Sequence, residues 1–97
     1  MTENNTDFLI YLQDLIESRK AEMPVNSYTS GLFREGINRI AQKLGEEAVE
    51  LIIEAKDDNP GRFLNESADL IFHFLVLLSA KGHNIREVIA LLKSRHK

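Results

Sequence analysis

The sequence contains no cysteine, only two prolines and no long uninterrupted apolar run. Without cysteine the chain can form no disulfide, no thiolate nucleophile and no cysteine-based zinc site. A membrane-spanning helix needs about 18 or more consecutive apolar residues, so none is predicted. The first seven residues lack the basic-then-apolar order of a signal peptide. Together these absences predict a cytoplasmic protein.

Excess charge of one sign is also small. The formal net charge is −3 over 97 residues, and no basic arm or stripe is present, which argues against nucleic-acid binding. A phosphorylated substrate would therefore need a metal ion and a few placed cations to offset its charge. With 43% hydrophobic and 28% charged residues, the chain has the composition of one small globular domain, predicted here to cover residues 1–97.

Apolar periodicity and Pro/Gly punctuation predict four main helices and no strand. The predicted helices cover residues 6–22, 37–56, 60–80 and 85–95. Residues 25–36 are interpreted as a connector with room for one short helical turn. The apolar stripe predicted for the second helix consists of Ile37, Ala41, Leu44, Ala48, Leu51 and Ala55. The predicted fold class is an all-α, four-helix bundle-like domain.

Two acidic pairs at helical spacing are the most informative feature. Glu47 and Glu50 are three residues apart on the second helix, and Glu66 and Asp69 repeat that spacing on the third. The second pair precedes residues 70–78, which are apolar on every face except at His73. Carboxylates are rarely buried without a partner. Two neighbouring helices that present such pairs to each other would repel unless a cation lay between them.

Oxygen ligands of this kind suit Mg²⁺, or Mn²⁺, rather than zinc or copper. A carboxylate-bridged di-iron site is disfavoured because it uses Glu-x-x-His, which does not occur in this sequence. The plain alternative is a solvated acidic face that includes Glu46 and Glu54 and is partly neutralised by Lys43. That alternative does not account for Glu66 and Asp69, which lead directly into the apolar stretch.

Four further residues have both a structural and a functional interpretation. His73 could be a hydrogen-bonded core histidine, or it could orient Asp69 or contact a phosphate. Lys43 could pair with the glutamates or reach a substrate phosphate. Tyr28 and Thr29 could be simple packing and capping groups. The residues alone leave these alternatives open.

The order Ser27-Tyr28-Thr29, Arg39-Ile40-x-Gln42-Lys43, Gly45-Glu46-Glu47-x-x-Glu50, Glu66-x-x-Asp69 and His73 resembles the phosphoribosyl-ATP pyrophosphohydrolase family. That family belongs to the MazG-like all-α nucleotide pyrophosphohydrolases and performs the second step of histidine biosynthesis. The resemblance implies Mg²⁺-dependent hydrolysis of phosphoribosyl-ATP to phosphoribosyl-AMP and pyrophosphate. A cyclohydrolase domain is often fused to this activity, and the chain is expected to be the stand-alone form.

The resemblance also implies a role for each matched residue. Glu47, Glu50, Glu66 and Asp69 are expected to hold the metal ion. Glu46 is expected to bind a second ion or to help activate water, with Glu46 or Glu50 as the catalytic base. The expected substrate-binding residues are Tyr28, Thr29, Arg39, Lys43 and His73.

The sequence leaves two alternative functions open and also predicts an oligomeric state. The chain could be a house-cleaning hydrolase of other nucleoside triphosphates, with the same metal site, or a helical interaction module without catalysis. Its short length and the apolar residues 70–78 predict a homodimer that completes the bundle near the metal site. Charged substitutions at Phe74 or Leu78 are the expected probes of core or interface.

Overall fold

The computed structural model describes residues 5–96, with side chains from Asp7 onward. Within this part of the chain every regular element is an α-helix, as predicted. The helices are α1 (Asn5–Glu22), α2 (Tyr28–Glu35), α3 (Ile37–Ala55), α4 (Pro60–Ala80) and α5 (Ile85–Arg95). The four predicted helices are confirmed, with bounds that agree to within one residue.

Local capping explains why α4 and α5 begin where the sequence predicts. The Asn59 side chain accepts a hydrogen bond from the backbone N–H of Arg62 at 3.1 Å, and Pro60 occupies the first turn of α4. At α5, the Glu87 carboxylate accepts from the backbone N–H of Asn84 at 2.8 Å, and Asn84 caps the helix in return. This reciprocal arrangement is a capping box.

Helix α2 corrects the predicted connector at residues 25–36. Eight residues are too few for a stable isolated helix, so periodicity alone gives little signal. One local and one tertiary feature support it: the Ser27 hydroxyl accepts from the backbone N–H of Ser30 at 3.2 Å, and Leu32 is buried in the core. The helix matters for the site because it holds Tyr28 in its first turn.

Gly36 alone joins α2 to α3, with φ 96° and ψ 176°, a backbone conformation that is essentially restricted to glycine. We expect Gly36→Ala to lower the free energy of unfolding by about 1–3 kcal/mol. Gly45→Ala is the matched control, because Gly45 is an exposed helical residue of α3. There the added methyl group should stabilise by up to about 1 kcal/mol. Urea unfolding of both variants would check this, and a Gly36→Ala variant as stable as the Gly45→Ala variant would contradict it.

All five helices contribute to the packing of one end of the molecule. The buried apolar side chains are Ile16, Leu32, Ile40, Leu75, Val76 and Ile85. The buried Gln13 joins three helices, since its amide donates to the Leu75 carbonyl and accepts from the Ile85 N–H, both at 2.9 Å. Phe74 and Leu78 pack against this core, so a charge at either position would disturb folding as well as any assembly.

The apolar stripe predicted for α3 is only partly correct. Leu44, Ala48 and Leu51 are half-buried, but Ile37, Ala41 and Ala55 are exposed, and the fully buried apolar residue of α3 is Ile40. The prediction assumed a core along the whole helix. In the structure α3 packs mainly against α4, and the core contacts only its first part.

Helices α3 and α4 form a hairpin around the turn at residues 56–59. The structure describes every residue from 48 to 72 in this hairpin, and none of their side chains is fully buried. By length and composition alone α4 could cross a membrane, but it carries Glu66, Asp69 and the buried His73. A buried core helix meets the same criterion of length and composition.

The α3–α4 hairpin brings both acidic pairs together at the edge of the packed core.

Candidate metal site and adjoining cleft

Three of the four predicted metal ligands lie together between α3 and α4. One carboxylate oxygen from each of Glu47, Glu66 and Asp69 is within 4.8 Å of the others. Glu47 is 5% exposed, whereas Glu66 and Asp69 are half-buried. The short turn between the helices makes them antiparallel neighbours, which is why pairs distant in sequence meet here.

The environment of these carboxylates fits a hard cation. Glu47 Oε2 and Glu66 Oε2 are buried and have no hydrogen-bond partner among the described residues. Burial, and then contact with Glu50 and the nearby charge of Glu47, raise the pKa of Glu66 to about 7. Burying carboxylates that repel one another and lack hydrogen-bond partners costs free energy. A divalent cation such as Mg²⁺ would use those oxygens and offset the charge.

The other two predicted acidic residues differ in position. Glu50 is exposed and near enough to Glu66 to raise the pKa of that carboxyl, which puts it at the edge of the cluster. Glu46 points elsewhere: its carboxylate accepts a hydrogen bond from the Gln42 amide at 3.1 Å and lies 4.0 Å from the Arg39 guanidinium. The structure thus brings Glu50, and not Glu46, to the candidate metal ligands.

A cleft of about 380 Å³ opens beside the carboxylates. It is lined by Tyr28, Lys43, Glu47, Asp69, Phe72 and His73. Two of the three clustered carboxylates and three of the predicted substrate-binding residues therefore border the same space. Because it borders both the carboxylate cluster and the Lys43 ammonium group, we take this cleft as the candidate site.

Lys43 is the cation of the cleft. Its ammonium group lies 3.6 Å from Glu47 Oε1, one helical turn away, and its side chain remains partly accessible. Arg39 is placed differently, because its guanidinium lies 3.9 Å from Glu35 and near Glu46, outside the cleft lining. Thr29 follows Tyr28 in α2 and is likewise not among the lining residues. Of the predicted basic residues, only Lys43 borders the cleft.

His73 is a buried, hydrogen-bonded histidine on the wall of the cleft. Its Nδ1 lies 2.8 Å from the Asp69 carbonyl oxygen, and its Nε2 lies 2.9 Å from the Tyr28 hydroxyl. The Tyr28 and Phe72 rings both meet the imidazole edge-to-face. With both ring nitrogens occupied, His73 connects the first turn of α2 to the carboxylate-bearing turn of α4.

Phe72 is the cleft residue that the sequence analysis did not single out. It lies within the apolar stretch and was counted there as core. The available signal was its position: it follows Asp69 by three residues, so it lies on the same side of the helix as the carboxylate. Its half-buried ring gives the cleft an apolar wall.

Comparison with known proteins identifies the family that this chain resembles. A family model described as phosphoribosyl-ATP pyrophosphohydrolase matches residues 9–96. A phosphoribosyl-ATP pyrophosphatase of Leptospira biflexa is 48% identical, over 93% of this chain and 98% of its own length. A histidine biosynthesis bifunctional protein HisIE of Bacteroides thetaiotaomicron is 53% identical, over 92% of this chain and 44% of its own.

The relatives differ in length. The HisIE protein of Xanthomonas campestris is 48% identical, and the aligned region again covers 95% of this chain but 45% of that protein. The chain therefore spans less than half the length of the bifunctional relatives and almost the whole of the Leptospira protein. The acidic pairs, Lys43, Tyr28 and His73 all lie within the matched residues 9–96.

Proposed function

This chain belongs to the phosphoribosyl-ATP pyrophosphohydrolase family, and we propose that it hydrolyses phosphoribosyl-ATP to phosphoribosyl-AMP and pyrophosphate in histidine biosynthesis. The observation that carries the proposal is the set of three carboxylates, Glu47, Glu66 and Asp69, beside a cleft that also contains Lys43. The substrate is a small metabolite, and we place the activity in the cytoplasm.

The resident ion in this proposal is Mg²⁺, with Mn²⁺ as a substitute, held by Glu47, Glu66 and Asp69, with Glu50 completing the set. A bound divalent cation supplies charge neutralisation for phosphate oxygens and acidifies water. The support for this set is the pair of buried, unpartnered oxygens on Glu47 and Glu66. Oxygen-only ligands of this number favour these ions over zinc or copper.

The other charged residues near the carboxylates have separate roles in this proposal. Lys43, partly accessible at the cleft wall, is placed to bind a phosphate oxygen of the substrate and offset negative charge there. Glu50, at the open edge of the carboxylates, is our choice for the proton acceptor of the attacking water. The contacts of Glu46 with Gln42 and Arg39 favour a structural role for that residue.

The direct test is the substrate profile of the purified protein. Pyrophosphate release from phosphoribosyl-ATP should be faster, as kcat/KM, than from the common nucleoside triphosphates. Preference for another nucleoside triphosphate would replace the proposal with a house-cleaning hydrolase of the same superfamily. Absence of hydrolysis from every substrate, at saturating Mg²⁺ and with the fold intact, would favour a non-catalytic helical module.

We further propose that a second copy of the chain covers the α3–α4 hairpin. Val49, Ile52 and Ile53 lie on one face of α3 at helical spacing, and each is more than half exposed. Leu64 on α4 adds to the exposed apolar surface. Large exposed apolar faces on a small domain usually mark an interface. A homodimer would cover this surface and place each carboxylate cluster near its boundary.

The dimer can be tested by one charged substitution with a matched control. We expect Ile53→Glu to shift the protein from dimer to monomer at micromolar concentration, because it places a charge in an apolar interface. Val25→Glu, at an exposed apolar residue outside the hairpin, should leave the dimer intact. Light scattering and the concentration dependence of Tm would measure both. A wild-type chain that is a folded, active monomer at that concentration would contradict the proposal.

A further inference from the structure

Tyr28 and His73 form a hydrogen-bonded pair whose direction follows from its surroundings. A backbone carbonyl can only accept a hydrogen bond, so the Asp69 oxygen requires a proton on His73 Nδ1, 2.8 Å away. In a neutral imidazole the other nitrogen is then an acceptor. In this neutral form, His73 Nε2 accepts a hydrogen bond from the Tyr28 hydroxyl at 2.9 Å, with the phenolic proton pointing toward the imidazole.

This direction determines what Tyr28 can still do in the cleft. Its only donor is used by His73, and its oxygen retains free acceptor capacity. Tyr28 borders the cleft and is 56% exposed, so a ligand can reach it. A phosphate oxygen is itself an acceptor and would find no proton there. A hydroxyl or amino group of the ligand would find a suitable partner.

We propose that Tyr28 is a specificity residue that accepts a hydrogen bond from a hydroxyl or amino group of the nucleoside part of the substrate, and that His73 is the positioning residue that sets this direction. The inference deepens the proposed function and rests on it for the identity of the nucleotide. It assigns the phosphates to Lys43 and the metal side of the cleft, and the nucleoside to the Tyr28 side.

Tyr28→Phe is the central variant, because it removes the phenolic oxygen and keeps the ring. We expect KM for phosphoribosyl-ATP to rise about three- to tenfold with little change in kcat, the effect of losing one neutral hydrogen bond. Inhibition by inorganic pyrophosphate should be unchanged. Tyr11→Phe is the matched control: Tyr11 is 59% exposed and also packs on a phenylalanine, but it lies on α1. It should alter neither constant.

Substrate analogues identify the group that Tyr28 binds. Analogues that lack one ribose hydroxyl, or the exocyclic nitrogen of the base, should each be compared with the parent compound. For one of them the penalty seen with the wild type should disappear in Tyr28→Phe. His73→Leu should weaken that discrimination, and the double variant should resemble Tyr28→Phe alone, since His73 acts through Tyr28. Weaker pyrophosphate inhibition in Tyr28→Phe, or an unchanged KM, would overturn the proposal.

A measurement on the protein alone separates this inference from the proposed function. Nitrogen NMR of His73 in mildly alkaline buffer should show the tautomer with the proton on Nδ1. The tautomer with the proton on Nε2 would overturn the assignment of direction whatever the substrate is. If the Nδ1 tautomer is found but phosphoribosyl-ATP is not hydrolysed, the proposed function fails and the acceptor role of Tyr28 stands for another nucleotide.

Discussion

Asp69→Asn should lower kcat/KM for phosphoribosyl-ATP by roughly a thousandfold or more while leaving the helices intact. The amide keeps the shape of the carboxylate but loses the charge that a hard cation needs. Lewis-acid stabilisation is worth several kcal/mol, and about 1.4 kcal/mol corresponds to a tenfold change in rate. Glu47→Gln should have an effect of the same order, since Glu47 belongs to the same set of oxygens. Steady-state kinetics across Mg²⁺ concentrations would measure both.

Asp58→Asn is the control for this change, because Asp58 lies exposed in the turn between α3 and α4. It should keep wild-type activity. In the metal-free state Asp69→Asn should be at least as stable as the wild type, since one of several mutually repelling charges is gone. Near-normal turnover of both Asp69→Asn and Glu47→Gln at ordinary Mg²⁺ concentrations would refute the carboxylate cage.

Lys43→Ala should reduce turnover of phosphoribosyl-ATP by about a hundredfold, the usual loss when one donor to a charged reacting group is removed. Lys43 is the cleft cation, and its side chain is accessible although it pairs with Glu47 at 3.6 Å. Metal affinity should stay the same or increase slightly, because a positive neighbour of the ligands is lost. Kinetics together with calorimetric Mg²⁺ titration would separate these two effects.

Lys56→Ala, at the C-terminal end of α3, offers a control with the same loss of charge outside the cleft. It should leave turnover unchanged. Circular dichroism of Lys43→Ala then decides how the loss arises. A folded variant with weak turnover supports contact with substrate, whereas an unfolded one would make Lys43 a structural residue whose role is to neutralise the buried Glu47.

Much of the fold was predictable because its helices carry strong local signals. Pro60, Asn59 and the Asn84–Glu87 capping box act within a few residues, so the beginnings of α4 and α5 could be placed from sequence. Helix α2 could not, since it is short and depends on Leu32 entering a core built by distant segments. The exposed half of the α3–α4 hairpin was also unexpected, because an apolar stripe does not reveal whether its own chain or another covers it.

The acidic part of the site was predictable for a similar reason. Each acidic pair lies on one side of its helix, and the short turn between α3 and α4 makes these helices neighbours, so the two pairs are expected to lie close together. The contact of Tyr28 with His73 was not predictable, because these residues are 45 positions apart and their meeting depends on the angle of α2. The positions of Arg39 and Glu46 were also not predictable. Helical spacing places them beside the other charged residues of α3, but in the structure they pair with each other at the surface.

We propose that this chain cleaves phosphoribosyl-ATP to release pyrophosphate with the help of a divalent cation. The decisive experiment is phosphorus NMR of the products, recorded as Mg²⁺ is titrated into metal-free enzyme. We predict that pyrophosphate and one new phosphomonoester, the α-phosphate of phosphoribosyl-AMP, form in equimolar amounts, at a rate that rises with Mg²⁺ and falls to background with a chelator. Release of orthophosphate as the first product, or full activity in the presence of the chelator, would contradict the account.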